Sequence, residues 1–337
     1  MAVTGSTGME AIMPGMKRRE FITLFGSGAL AWPLAARSQP TMLRIGVVSG
    51  QPRGGSIFVA LEQRLAELGY RAGKNFAFEF IEVSNIEGFE SGYRTLADHG
   101  VDVILASGPE ISLKSAMAAT GVIPIVMIAI DYDPFARGYV SSLARPGGNV
   151  TGVFFQQIEL SMKRIQVFMD AIPRMQHAAV FWDAISADQW QATQDAAERV
   201  GLRLAGVELR EPPYDFEQAL AQLPPDYRGA LVVLTSPFFF RDRERIADFA
   251  LRNRMASMFA FREYVETGGL LSYGPSITGM YRRAAEYVDR IARGAKPSDL
   301  PIEQPTRFEL IINMKTVKTL GLGVPLHIQQ RADELID

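Results

Sequence analysis

The sequence predicts an α/β protein of two doubly wound parallel-sheet lobes joined by a hinge that the chain crosses several times. Three observations predict it. Apolar runs of strand length alternate with amphipathic stretches of helical period from residue 44 onwards. The alternation starts again near residue 178, after a full set of strands has already been laid down. At 337 residues the chain is also longer than one core ordinarily organises, because domains settle near roughly 100–150 residues.

The elements follow in order. Residues 44–49 form a short buried strand, and 58–68 carry apolar residues at helical spacing up to Gly69, which suits a helix end. Strands follow at 76–83, 101–106 and 123–130, with helices at 88–99 and 110–120. Near-continuous Val and Ile runs separated by helices imply parallel strands covered on both faces. The turn Arg145-Pro146-Gly147-Gly148-Asn149 precedes a strand at 150–155 and a helix at 160–171, where the first crossing is placed. A fixed φ at proline and positive φ at glycine are what a sharp turn requires, so this segment reads as structural.

The second lobe repeats the scheme. Strands at 178–182, 203–209, 229–235, 258–261 and 270–273 alternate with helices at 187–200, 215–223 and 241–254. The helix 281–292 and the segment 306–313 are left to recross the hinge. The expected division is 39–153 for the first lobe, completed by about 276–305, and 154–275 for the second, completed by about 306–337. The gap between such lobes lies at the carboxyl ends of the strands.

Residues 1–38 read as an extension followed by a targeting segment. Lys17, Arg18 and Arg19 precede a weakly apolar stretch, 21–34, interrupted by Gly26 and Gly28, and Trp32-Pro33 ends any helix. Ala36-Arg37-Ser38 then places small residues where a signal peptidase cuts, so the mature chain is expected to start near Gln39. The apolar stretch is shorter than the ~20 residues that span a bilayer, and adjacent arginines suit the twin-arginine route to the periplasm. Residues 1–15 read as an upstream extension, because Met16 stands where such a peptide begins.

Composition narrows the function. With 35 basic against 37 acidic residues the formal charge is -2, which supplies no field to gather nucleic acid or anionic lipid and points to a small-molecule partner. The absence of cysteine excludes disulfides, thiolate metal sites, cysteine nucleophiles and an N-terminal lipidated cysteine. His99, His177 and His327 are isolated, and neither a Gly-x-Ser-x-Gly elbow nor a phosphate loop occurs. No catalytic residue, metal site or cofactor is therefore nominated, and an exported hydrolase stands only as an alternative.

The run Asp133-Pro134, then Ser142-Leu143-Ala144-Arg145-Pro146-Gly147-Gly148-Asn149-Val150-Thr151-Gly152-Val153, resembles the signature of the ABC transporter substrate-binding family that includes tryptophan and tyrosine binders. Gly268-Gly269-Leu270-Leu271-Ser272-Tyr273-Gly274, Tyr281-Arg282-Arg283-Ala284-Ala285 and the stretch 294–306 extend the resemblance. It implies a type I periplasmic-binding fold, capture of a small solute between the lobes, and delivery to an inner-membrane permease and its ATPase. A monomer is expected, and a membrane sensor in place of the permease is the alternative partner. One departure follows Trp182, where relatives carry an Asn-Pro-rich loop and this chain reads Asp183-Ala184-Ile185-Ser186-Ala187-Asp188. The resemblance therefore does not supply the ligand.

Candidate site residues come from topology. Loops leaving strand carboxyl ends present backbone N–H groups at helix N-termini, which favour a carboxylate. Ser49 and Gln51, then Ser107, Gly108 and Glu110, and then Ser236 occupy such loops. Asp131, Asp133 or Asp183 is placed to accept from a ligand ammonium, and Tyr132, Phe155, Trp182, Phe238 and Tyr273 to stack on a planar solute. The favoured ligand is a carboxylate-bearing solute, an aromatic or branched amino acid before a sugar. Capping of the adjoining helices is the competing role for the polar residues, and core packing for the aromatic ones.

If the paired arginines are the export signal, Arg18→Lys combined with Arg19→Lys stops translocation. Normal periplasmic accumulation of that double variant would contradict the twin-arginine assignment.

Overall fold

The computed structural model describes residues 42–337 apart from Asp131 and Gln156. The expectations for the targeting segment and for Asp131 thus fall outside the described residues.

The first sheet contains β1 (Leu43–Ser49), β2 (Phe76–Glu82), β3 (Val103–Gly108), β4 (Ile125–Ala129) and β5 (Val150–Phe154) in the order β2-β1-β3-β4-β5. Every pair is parallel. α1 (Ser56–Glu67), α2 (Gly88–Asp98) and α3 (Glu110–Ala119) connect the strands. α1 buries Ile57, Phe58, Leu61 and Leu65, one apolar stripe at helical spacing. Gly147 and Gly148 take φ values of 72° and 65°, as the sharp turn before β5 requires.

α4 (Gln157–Ala171) leads into the second sheet. Its strands are β6 (His177–Trp182), β7 (Arg203–Glu208), β8 (Ala230–Val233), β9 (Ala256–Phe259), β10 (Leu271–Gly274), β11 (Glu309–Asn313) and β12 (Glu334–Ile336). Their order is β12-β11-β10-β9-β8-β6-β7. α5 (Ala187–Arg199), α6 (Phe216–Ala221), α7 (Pro237–Arg241), α8 (Arg243–Arg252) and α9 (Arg262–Glu266) lie between the first of these strands. α10 (Ile277–Ala292) crosses back to pack on α1, with Phe58 edge-on to Tyr281 at 5.3 Å and Arg64 2.8 Å from Glu286. α11 (Met314–Leu320) and α12 (Leu326–Arg331) close the chain before β12.

Two features differ from the sequence expectation. The segment 306–313 does not merely recross: its end is β11, which pairs antiparallel with β10. The chain reaches it from the first lobe and so enters the sheet from the opposite end. The helix expected over 241–254 is α8, and a short helix not expected, α7, precedes it, because Ser236 caps a helix whose N1 residue is Pro237 and a new helix starts beyond Asp242.

The chain passes between the sheets after β5, after β10 and again before β11. At the third passage Glu303 donates its N–H to the Gly152 carbonyl at 3.0 Å and accepts from Phe154 N–H at 3.0 Å. Thr151 Oγ1 donates to the Leu300 carbonyl at 2.8 Å. The returning segment is thereby tied along the edge of the first sheet.

In α9, Glu263 is 5% exposed and its Oε2 has no hydrogen-bond partner. Burial pushes this carboxyl up to about 7, with Glu266 adding to the rise while Arg262 and Arg243 oppose it. An unfolded glutamate ionises near 4.5, so between those two values the folded chain holds a proton that the unfolded chain has released. The group's contribution is whole below the lower value and is lost as pH rises through the upper one. Glu263→Gln removes this loss and raises stability at pH 8 by up to about 3 kcal/mol, with little change near pH 5. Urea midpoints at the two pH values check it, and an equal shift at both would contradict it.

Candidate ligand-binding site

In each sheet the strand order reverses about the first strand, β1 or β6, so loops leaving adjacent strands splay to opposite sides and open a crevice. Residues 49–51 begin at the last residue of β1 and 108–110 at the last of β3, while 183–186 follow β6 and 234–237 follow β8. Three of these four loops meet around a gap of about 480 Å³, counted with its open mouth. Ser49, Gln51, Ser107, Gly108 and Ser236 all line it. The rest of the wall is mostly apolar, with Phe89, Ile130, Ile277 and Tyr281 from the first lobe and Phe240 and Phe261 from the second.

The polar groups differ in how far they are already engaged. Ser49 Oγ accepts from Gln51 N–H at 3.0 Å, and Ser236 Oγ accepts from Phe238 N–H at 3.2 Å. Gln51 Nε2 donates to the Pro237 carbonyl, a direct bond between the lobes. Ser107 is 4% exposed, and its hydroxyl has no hydrogen-bond partner. Burial pushes the Tyr281 phenol well above its ordinary value, and the Ser107 hydroxyl beside it, though outside hydrogen-bond geometry, opposes the rise. No charged side chain among the described residues lines the gap.

Glu110 lies one step outward, in an adjoining gap shared with Ile185 and Asp188. It accepts from the Tyr139 hydroxyl and is 3.7 Å from Arg137, which in turn pairs with Asp188 of the second lobe. The lobes are therefore bridged at the mouth as well as at the floor.

Several of the candidate residues sit away from this gap. Asp183 is 4% exposed and caps the turn Ala184–Ser186, accepting from Ser186 N–H at 3.1 Å and from the Tyr214 hydroxyl at 3.2 Å. Burial raises its carboxyl, and donors from Ser236, Ser186 and Tyr214 oppose the rise. Trp182 stacks on Trp190 of α5 at 6.1 Å, because strand alternation points it at the helical layer. Tyr132 packs edge-on against Tyr139, Phe155 stands behind Phe261, and Tyr273 stacks on Phe308. None of these lines the gap.

The Phe238-Phe239-Phe240 run lies in α7, so helical geometry decides which ring faces the gap, and that ring is Phe240. Phe238 instead closes on the first lobe: a Cβ at Gly50 would come within 2.9 Å of its ring. A side chain there would push the Phe238 ring away.

Sequence reasoning missed the polar support behind Thr235, another lining residue. Gln189 Oε1 accepts from Thr235 N–H at 2.9 Å, and Gln189 Nε2 donates to the Thr235 carbonyl at 3.0 Å. Gln157 Nε2 donates to Gln189 Oε1 at 3.0 Å and to Thr235 Oγ1. Gln157 and Gln189 are each 1% exposed. The available signal was a polar residue near the start of α4 and another in the first turn of α5, both following crevice-facing strands.

Comparison with known proteins accords with this geometry. The chain is similar to the tyrosine-binding protein of Clostridioides difficile (strain R20291), at 24% identity over 263 residues covering 77% of this chain and 74% of that one. A conserved domain protein from Vibrio cholerae O1 biovar El Tor superposes with a TM-score of 0.77 at 21% identity, covering 88% of this chain and 99% of that one. A Streptococcus pneumoniae ABC domain in complex with L-Trp gives 0.73 at 21% identity, covering 88% and 100%. The structural likenesses establish the two-lobed fold. The sequence model of the family described as ABC transporter substrate binding protein matches residues 52–336, and the chain accordingly belongs to the ABC transporter substrate-binding protein family.

Proposed function

We propose that the protein is the exported solute-binding component of an ABC importer. It captures a small carboxylate-bearing solute between its lobes and delivers it to an inner-membrane permease and ATPase. The observation that carries this reading is the Ser107 hydroxyl, buried and unpartnered on the wall of a mainly apolar gap. A buried polar group left unpaired costs about 1–3 kcal/mol. A solute oxygen placed beside it relieves that cost.

An aromatic amino acid is the favoured solute. Phe89, Phe240, Phe261 and Tyr281 offer ring surface around the hydroxyls. The similar proteins named for tyrosine and holding L-Trp support the same class. Residues 17–38 direct export by the twin-arginine route, and the mature chain works in the periplasm as a monomer.

Residues 39–153 with 276–305, and 154–275 with 306–337, move as two bodies about the crossings. A solute that touches both bodies favours the arrangement in which Gln51 reaches Pro237 and Arg137 reaches Asp188. The closed form is what the permease recognises.

L-tryptophan or L-tyrosine at a hundredfold excess over its Kd should stabilise the chain by about 2.7 kcal/mol, read as a rise in melting temperature. Ser107→Ala should weaken that binding about tenfold or more while leaving the ligand-free melting temperature unchanged or slightly higher, since an unpaired hydroxyl is removed. A melting temperature raised by sugars alone would reject the proposed ligand class, and undiminished affinity in Ser107→Ala would reject the assigned site.

A further inference from the structure

Behind the second-lobe wall of the gap lies a buried guanidinium. Arg164 of α4 is 4% exposed, and no carboxylate among the described residues pairs with it. Its Nε donates to the Tyr273 carbonyl at 2.9 Å, and one terminal nitrogen donates to Gln157 Oε1 at 3.0 Å. Burial lowers its pKa to about 10, so it remains a cation at neutral pH. A buried charge without a counter-charge is strongly unfavourable unless something else compensates it.

The direction of the bonds from Arg164 to the gap is forced at both ends. Arginine only donates, so the Gln157 atom facing it is Oε1. The Thr235 backbone N–H and carbonyl fix the Gln189 amide, whose Oε1 accepts from that N–H. The Gln157 atom meeting Gln189 Oε1 is therefore Nε2, and the same nitrogen donates to Thr235 Oγ1. Thr235 Oγ1 already accepts, and its proton has no acceptor within the described protein. Thr235 lines the gap.

We propose that Arg164 is a positioning residue: acting through Gln157, it makes the Thr235 hydroxyl a directed donor to an anionic oxygen of the bound solute. The relay specifies a carboxylate over a neutral amide of the same shape. This deepens the reading of the gap as a solute site and rests on it. Aligned donors polarise one another in a low-dielectric interior, so the cation at the head of the chain strengthens the donor at its tail. A carboxylate arriving in the gap also supplies the negative charge that Arg164 lacks.

The test measures Kd for L-tryptophan against L-tryptophanamide, and L-tyrosine against L-tyrosinamide, by calorimetry on the purified chain. The wild type should prefer each acid. Thr235→Val preserves shape and removes the hydroxyl, so it should lower the acid-over-amide ratio by about tenfold to a hundredfold. Thr235→Ser should retain the preference. Arg164→Gln should lower the ratio in the same sense, and the Arg164→Gln/Thr235→Val double variant should lose no more than Thr235→Val alone. If Arg164→Gln does not fold, Thr235→Val decides the matter.

A folded Thr235→Val chain with an unchanged ratio overturns the relay while solute capture stands. Equal wild-type affinity for acid and amide does the same. No wild-type binding of either acid or either amide overturns both the relay and the aromatic amino-acid assignment.

Discussion

Everything in this molecule depends on two mainly parallel sheets being tied by three chain passages so that the carboxyl ends of their parallel strands face one gap. Each sheet alone has a crevice at its strand-order reversal, but half a site. The passages hold two such halves in register. The third passage is bonded along the edge of the first sheet through Glu303, whose carboxylate also receives Arg283 Nε at 2.7 Å. Gly152 makes this edge possible: its φ is 138°, and a Cβ there would lie 2.1 Å from the Met127 carbonyl. Only glycine lets β5 lie that close to β4 while it carries the returning segment.

The electrostatics of the gap follow from that construction. Loops at strand ends bring hydroxyls and backbone groups, while the helices that start there bring Ile57, Phe89, Ile277 and Tyr281. The described wall is neutral, so a charged solute of the proposed class would be met only by oriented donors in a low-dielectric setting, where each is stronger than in water and each unpaired one is costly. Ser107 in the first lobe is unpaired. Thr235 in the second is held by two glutamines, with Arg164 behind them. On the proposed reading the two lobes contribute unlike halves, a single open hydroxyl and a network headed by Arg164. A solute satisfies both only when it spans them.

The fold was legible because buried parallel strands and amphipathic helices leave strong local periodicities. The strands of the first sheet were placed to within a few residues. Less was visible where long-range pairing decides the outcome: nothing local to 306–313 says that it joins β10 antiparallel. In the site, the serines and Gln51 were readable because a strand end followed by a helix start fixes where a loop residue sits. The aromatic residues were not, because a ring's direction depends on what covers it. Trp182 has Trp190 opposite it, and Phe240, not Phe238, faces the gap once Pro237 starts a helix. Asp183 shows the same limit for polar residues, since its carboxylate caps the turn that follows it. Gln157, Gln189 and Arg164 lie far apart in sequence from Thr235, and only the assembled second lobe brings them together.

Lobe closure around the solute is the central claim, and small-angle scattering of the mature chain tests it most directly. The radius of gyration is measured with and without a saturating amount of the amino acid that raises the melting temperature. A solute that spans the lobes selects the closed arrangement and should reduce the radius of gyration, because a ligand shifts such an equilibrium by its differential affinity for the two states. A radius unchanged by saturating ligand would contradict closure.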